Sequence, residues 1–251
     1  MLITQPLVIS IPVLKIPLLI SSAISFYGSM THPRTNAPPG RASSVDVARM
    51  DFLTRTMDAQ VPLITMYKYI VCGLALAEAA LLAAYLAPPN PVSGAIIALL
   101  GTGSAPSSLR PSSTSVLGLV CTTLGGQIRI WGQRALGKHF TWKVGVQDDH
   151  ELITGGPYSV VRHPGYAGGL LMLAGTLAYV FDPASYLVVS KWAQMTVGRG
   201  TGTCVAIWVL QFAMLVLQRV GEEDRMLSER FGEQWSGYAA RVPYRLVPFV
   251  Y

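Results

Sequence analysis

The run of residues 62–86 constrains this chain more than any other stretch: it is rich in Leu and Ala and holds one acidic side chain, Glu78. A helix needs about 20 mostly apolar residues to cross a bilayer, and this run is long enough. Further apolar runs of spanning character lie at 6–28, 116–133, 166–181 and 201–219. Composition agrees. Of the 251 residues 51% are hydrophobic and 13% charged, with a mean hydropathy of +0.42, whereas soluble domains are about a quarter charged. An ordinary soluble domain is thereby excluded. Hydrocarbon tolerates only elements that satisfy their own backbone hydrogen bonds. The expected fold class is all-α: a polytopic integral membrane bundle of about five spans, with a cytosolic amphipathic C-terminal tail.

The segments between the runs refine this. Pro6, Pro12 and Pro17 kink or shorten the first span, and Lys15 interrupts it. With no basic leader and no small-residue cleavage site, it reads as a retained helix. Residues 29–61 turn polar and carry Arg34, Arg41, Arg49 and Arg55, the mark of a cytosolic loop, with an amphipathic helix expected around 45–58. The run 92–101 is too short to cross, and the Gly/Ser/Pro-rich stretch through Ser115 reads as a loop on the far side. Residues 184–200 are ambiguous, an apolar half followed by Lys191, Gly198, Arg199 and Gly200, and are expected on the far side or at its interface. Glu78 reads as paired or hydrated inside the bundle. Cys72, Cys121 and Cys204 are far apart and read as free thiols, with no metal-site spacing. The net charge of +6 suits basic cytosolic loops. No dense Lys/Arg patch suggests nucleic acid as a partner.

One polar segment stands out within this apolar chain, His150-Glu151-Leu152-Ile153-Thr154-Gly155-Gly156-Pro157-Tyr158, continuing to Arg162-His163-Pro164-Gly165-Tyr166. Thr154 to Pro157 cannot form a regular helix. Pro164 turns His163 away from helical angles and suits the first position of a new helix. Arg162 and His163 are therefore expected on a tight corner at the mouth of the next apolar helix. At the other end of the chain, Arg219 and Glu223 share a helix face. That spacing alone reads as an interfacial ion pair, and Glu222-Glu223-Asp224 alone as a solvated helix start. Beyond them Met226, Leu227, Phe231, Trp235 and Tyr238 fall at spacings of three and four, a helix with one apolar face that lies on the membrane or caps the bundle.

Taken together these motifs resemble the isoprenylcysteine carboxyl methyltransferase family, within a wider group that includes phospholipid N-methyltransferases. The resemblance rests on Leu136-Gly137, His150-x-Leu-Ile-Thr-x-Gly-Pro-Tyr, Val161-Arg162-His163-Pro164-x-Tyr166-x-Gly168, Arg219-x-x-x-Glu223-Asp224, Phe231-Gly232, Tyr238 and Val242-Pro243. It covers residues 116–251 as a methyltransferase core, with 1–115 left as variable N-terminal membrane helices and loops. Asp224, Trp235 and Tyr244 depart from the family's pattern, Asp224 standing where a second glutamate is common.

The resemblance implies S-adenosyl-L-methionine as cofactor, held by His150, Glu151, Leu152, Ile153, Tyr158, His163, Pro164, Gly165, Tyr166 and Glu223. It gives Arg219 the substrate carboxylate. It further implies a prenylated C-terminal cysteine of protein substrates as the acceptor, contact with membrane lipid, and a multi-pass protein of the endoplasmic reticulum membrane whose site faces the cytosol. The chemistry is consistent with these residues: a carboxylate attacking a sulfonium methyl is already ionised and needs no general base. Another lipid acceptor, or a non-enzymatic scaffold or transporter, are the competing expectations.

Overall fold

The structure is a computed structural model that describes residues 12–31, 52–104, 106–140, 151–190 and 195–250. Expectations for residues 6–11, for most of the arginine-rich loop and for His150 lie outside the described residues. Among the described residues every regular element is a helix.

A 3-10 turn, Pro12–Leu14, leads into α1, Lys15–Ser29. Pro17 lies in the first turn of α1, where its missing N–H breaks no helical bond. The next helix, α2, runs Phe52–Leu86 with Pro62 inside it. From Phe52 onward the amphipathic helix expected around 45–58 is thus not a separate element but the unbroken beginning of the span. Neighbouring helices make an internal proline tolerable in such a helix. α3, Pro91–Leu100, occupies the run that is too short to cross; Asn90 and Ser93 cap it reciprocally, with Pro91 at its first position. α4, Ser113–Leu136, opens on the same kind of reciprocal cap between Ser112 and Ser115 and ends at Gly137, whose φ of +52° only glycine adopts easily. α5 is Pro164–Val180 and α6 is Tyr186–Val189.

The last long helix, α7, runs Thr196–Phe231. It begins before the expected span of 201–219 and carries straight on through the acidic triplet. The amphipathic tail is therefore two pieces: the end of α7 and α8, Glu233–Arg241, separated by Gly232 at φ +50°. Among the described residues, three helical segments are long and apolar enough to cross a membrane by length and composition: Pro12–Ser29, Ala59–Leu86 and Gly198–Phe231.

α4 and α5 form an antiparallel pair that closes on glycine. Gly118, Gly125 and Gly132 recur every seven residues on one face of α4. A Cβ at Gly125 would fall 2.4 Å from the Met172 nitrogen, and one at Gly175 would fall 2.6 Å from the Gly118 oxygen. Small residues of this kind let membrane helices approach backbone to backbone. α1 lies against the other side of α4, where a Cβ at Gly126 would meet the Ser25 oxygen at 2.9 Å. The core between α1, α2, α5 and α7 is filled by Leu19, Phe26, Tyr67, Ala75, Met172, Tyr179 and Val209.

One polar knot sits in this core, away from the His-Pro corner. Lys15 and Glu78, both fully buried, form an ion pair. The Tyr179 hydroxyl donates to Glu78 at 2.8 Å and the Tyr186 N–H at 2.9 Å, while Lys15 donates to the carbonyls of Ala184 (2.9 Å) and Leu109 (3.3 Å). Glu78 is paired, as its position in the run suggested. Its partner, Lys15, was visible in the sequence only as an interruption.

Candidate active site

The corner is built as its sequence dictates. Gly156, at φ +62°, starts a 3-10 turn, Gly156–Ser159, that buries Pro157 and Tyr158. His163 then adopts φ −127° and ψ 62° as the cap of α5, with Pro164 at the first helical position. Its carbonyl accepts from the Tyr166 and Ala167 N–H groups at 3.1 and 3.0 Å.

The chain's C-terminal segment folds back over this corner. The Arg162 N–H donates to the Tyr244 carbonyl and the His163 N–H to the Arg245 carbonyl, both at 2.9 Å. The Arg162 guanidinium lies over the Trp235 ring, 5.7 Å from its centre, and donates to the Pro243 carbonyl at 3.2 Å. Trp235, Tyr238 and Val242 form a small buried cluster with Leu152, Leu227 and Phe231 packed on it. The apolar face of the tail thus caps the bundle at the corner. The Tyr238 hydroxyl donates to the Tyr158 carbonyl at 2.8 Å, and burial pushes its pKa up to about 12, with Arg162 opposing the shift and Asp224 adding to it. Burial, assisted by the Glu223 carboxylate, likewise holds the Tyr158 hydroxyl far above its ordinary range.

α7 delivers the remaining groups. The Tyr166 hydroxyl donates to Glu223 Oε2 at 2.7 Å. His163 Nε2 lies 2.7 Å from Asp224 Oδ1, and its Nδ1 lies 4.0 Å from Glu223 Oε2. Asp224 Oδ2 also faces Arg245 Nε at 3.0 Å and Arg162 Nη1 at 3.4 Å. Arg219 is buried, only 3% exposed, within electrostatic reach of Tyr166 and Arg129. Tyr158, His163, Pro164, Gly165, Tyr166, Arg219 and Glu223 therefore converge on one end of the bundle. Leu152 belongs to the packing beneath it, Ile153 is half-buried and Glu151 is exposed.

Reading Asp224 as part of a solvated helix start is corrected by the structure: it is buried among His163, Arg162 and Arg245. The reason is that α7 does not end at the membrane but continues beneath the corner. Arg129 and Arg245 are further residues of the site's frame that the motifs did not single out, while Arg162 stood in the corner motif without a role of its own. For Arg129 the signal was a lone charge on the glycine face side of α4.

The residues present suit a cofactor with a sulfonium and an amino acid head. Glu223 keeps 31% of its side chain exposed beside the stacked rings of His163 and Tyr166, whose centres are 5.7 Å apart at 22°. A half-open carboxylate can take an ammonium or hydroxyl group, and aromatic faces favour a cation.

Fold and site define a helical membrane protein whose polar site joins two distant motifs at the ends of its helices. Comparison finds a likeness over part of the chain: residues 116–197 match the isoprenylcysteine carboxyl methyltransferase (ICMT) family. Protein-S-isoprenylcysteine O-methyltransferase B of Arabidopsis thaliana is 30% identical over 138 residues, 54% of this chain and 60% of that protein. A probable protein-S-isoprenylcysteine O-methyltransferase of Oryza sativa subsp. indica is 29% identical over 138 residues, 54% of this chain and 62% of its own length. Delta(14)-sterol reductase of Mus musculus is 29% identical over 102 residues, 40% of this chain but 20% of that protein. The chain spans less than two thirds of the length of the curated relatives it matches. No solved structure matches it.

Proposed function

We propose that this protein methylates the C-terminal carboxylate of prenylated cysteine in proteins, with S-adenosyl-L-methionine as methyl donor, at the endoplasmic reticulum membrane and with the site facing the cytosol. The observation that carries the reading is the convergence of His163 and Tyr166 with Glu223 and Asp224, which joins both halves of the methyltransferase motif in one place. The names of the plant relatives supply the acceptor. The cofactor, when bound, supplies an activated methyl group.

The chain's own residues do the rest. Glu223 binds a positive or hydroxyl group of the cofactor, and His163 and Tyr166 present their ring faces to it. Tyr158, Pro164 and Gly165 shape the corner, with Glu151, Leu152 and Ile153 leading into it. Arg219 holds the acceptor carboxylate through the two-pronged geometry of its guanidinium. Burial of Tyr158, His163 and Arg219 limits water at the corner, and alignment of donor and acceptor alone can supply about 7–11 kcal/mol of the barrier. The test is transfer of a labelled methyl group by purified protein. Transfer to S-farnesylcysteine and not to phosphatidylethanolamine is expected. Transfer to the phospholipid alone, or reduction of a Δ14-sterol without methyl transfer, would overturn the reading.

A further inference from the structure

The Arg129 guanidinium connects two parts of the molecule that no motif links. Its Nε donates to the Ser29 carbonyl at 3.2 Å, in the last turn of α1. Its Nη1 donates to the Gly165 carbonyl at 3.0 Å, between His163 and Tyr166. Around it α4 is shaped for the purpose. A Cβ at Gly168 would fall 2.6 Å from the Arg129 nitrogen, and one at Gly132 would fall 3.2 Å from the Gly165 nitrogen, so α4 and α5 lie close enough for a side chain on α4 to reach the corner. Gln133 donates to the same Ser29 carbonyl at 3.0 Å, and among the described residues no hydrogen bond joins its side chain to the corner.

We infer that Arg129 is a positioning residue: it fixes the Gly165 carbonyl, and through it the His163 and Tyr166 side chains, to the end of α1. Helix α1 lies outside the residues matched by the family, 116–197, yet becomes part of the frame of the cofactor site. The chemistry suits the task. A guanidinium spans two carbonyls in one plane, which an ammonium on a flexible stem cannot do. A charge-assisted hydrogen bond to a carbonyl in a half-buried setting is stronger than a neutral one. His163 and Tyr166 both contact the acidic pair on α7, so a shift of the Gly165 peptide moves both contacts together.

The inference rests on the cofactor reading for its affinity test but not for its structural one. In Arg129→Lys, affinity for S-adenosylmethionine by calorimetry is expected to fall about tenfold or more, the size of one lost charge-assisted hydrogen bond. Activity at saturating cofactor should fall much less. Gln133→Leu, which loosens the same carbonyl of α1 without touching the corner, should bind the cofactor like the wild type. Hydrogen exchange at the Tyr166 and Ala167 amides, measured without cofactor, should quicken in Arg129→Lys alone. Failure of the wild type to bind the cofactor would sink the methyltransferase reading and leave this exchange test standing. Arg129→Gln, which removes the buried charge, is the second variant should the lysine form melt early, with the same losses expected. Wild-type affinity and exchange in a folded Arg129 variant, equal losses in Gln133→Leu, or unfolding of both Arg129 variants would each overturn the assignment.

Discussion

An ionised carboxylate only accepts, so the imidazole nitrogen 2.7 Å from it is the one that donates. Asp224 Oδ1 accepts from His163 Nε2, and Nδ1 is turned toward Glu223 at 4.0 Å. Asp224 also balances two arginines, so its removal would leave Arg162 and Arg245 facing one another near the Trp235 ring. Asp224→Asn should therefore cost about 1–3 kcal/mol of stability, read from thermal unfolding in detergent, and should weaken cofactor binding. Asp224→Glu, restoring the residue common at this position in the resembling family, should recover most of both losses; no recovery would mean that the spacing, and not the charge, is what matters. His163, Tyr166 and Glu223 were legible as residues because proline, glycine and helical spacing announce them. Asp224 was not, since three consecutive acids look the same whether solvated or buried. What buries it is the return of residues 243–245 over the corner, a contact across some 80 residues that no local pattern encodes.

Among the elements, the α4–α5 pair has the least room to change. A side chain at Gly125 or Gly175 would collide with backbone, which cannot yield as the end of a flexible side chain can. Gly175→Val should abolish folding or drive the pair apart, seen as loss of the monodisperse species in detergent, while Gly73→Val on α2, where nothing lies within 4 Å, should fold normally. Similar behaviour of the two variants would refute the close seam. The Lys15–Glu78 knot makes a second claim of this kind. Glu78→Ala strands a buried ammonium and should cost about 3–5 kcal/mol, whereas the double replacement Lys15→Met with Glu78→Leu should cost far less. Unfolding midpoints of the two variants decide it. The sequence displayed the glycines and both charges. It could not show that Lys15 meets Glu78, because that pairing depends on how α1 lies against α2. It also hid the length of α7, since the polar residues after Arg219 continue a helix that hydropathy alone ends.

At the scale of the whole molecule, the site demands that the His163 corner and the Glu223 turn of α7 lie on one side of the membrane. An even number of crossings must then separate them. With the site on the cytosolic side, residues 35–55 are expected to face the cytosol, and cysteines placed there should react with an impermeant reagent in sealed vesicles from that side only. Labelling from the lumen would break the topology. The membrane class was legible in composition and the family resemblance in motif; the architecture of the site was not, because it arises where the two ends of that motif meet across helices. The account stands or falls on that meeting. An exposed Arg–Glu pair is worth about 0–1 kcal/mol and its loss would hardly alter turnover. Arg219 is instead buried beside the corner, and Glu223 is bound to Tyr166. The decisive measurement is S-adenosylmethionine calorimetry alongside methylation kinetics for Arg219→Lys and Glu223→Gln. The account predicts that Arg219→Lys loses turnover on the prenylcysteine with near-normal cofactor affinity, and that Glu223→Gln loses cofactor affinity first. Wild-type binding and kinetics in both variants would contradict it.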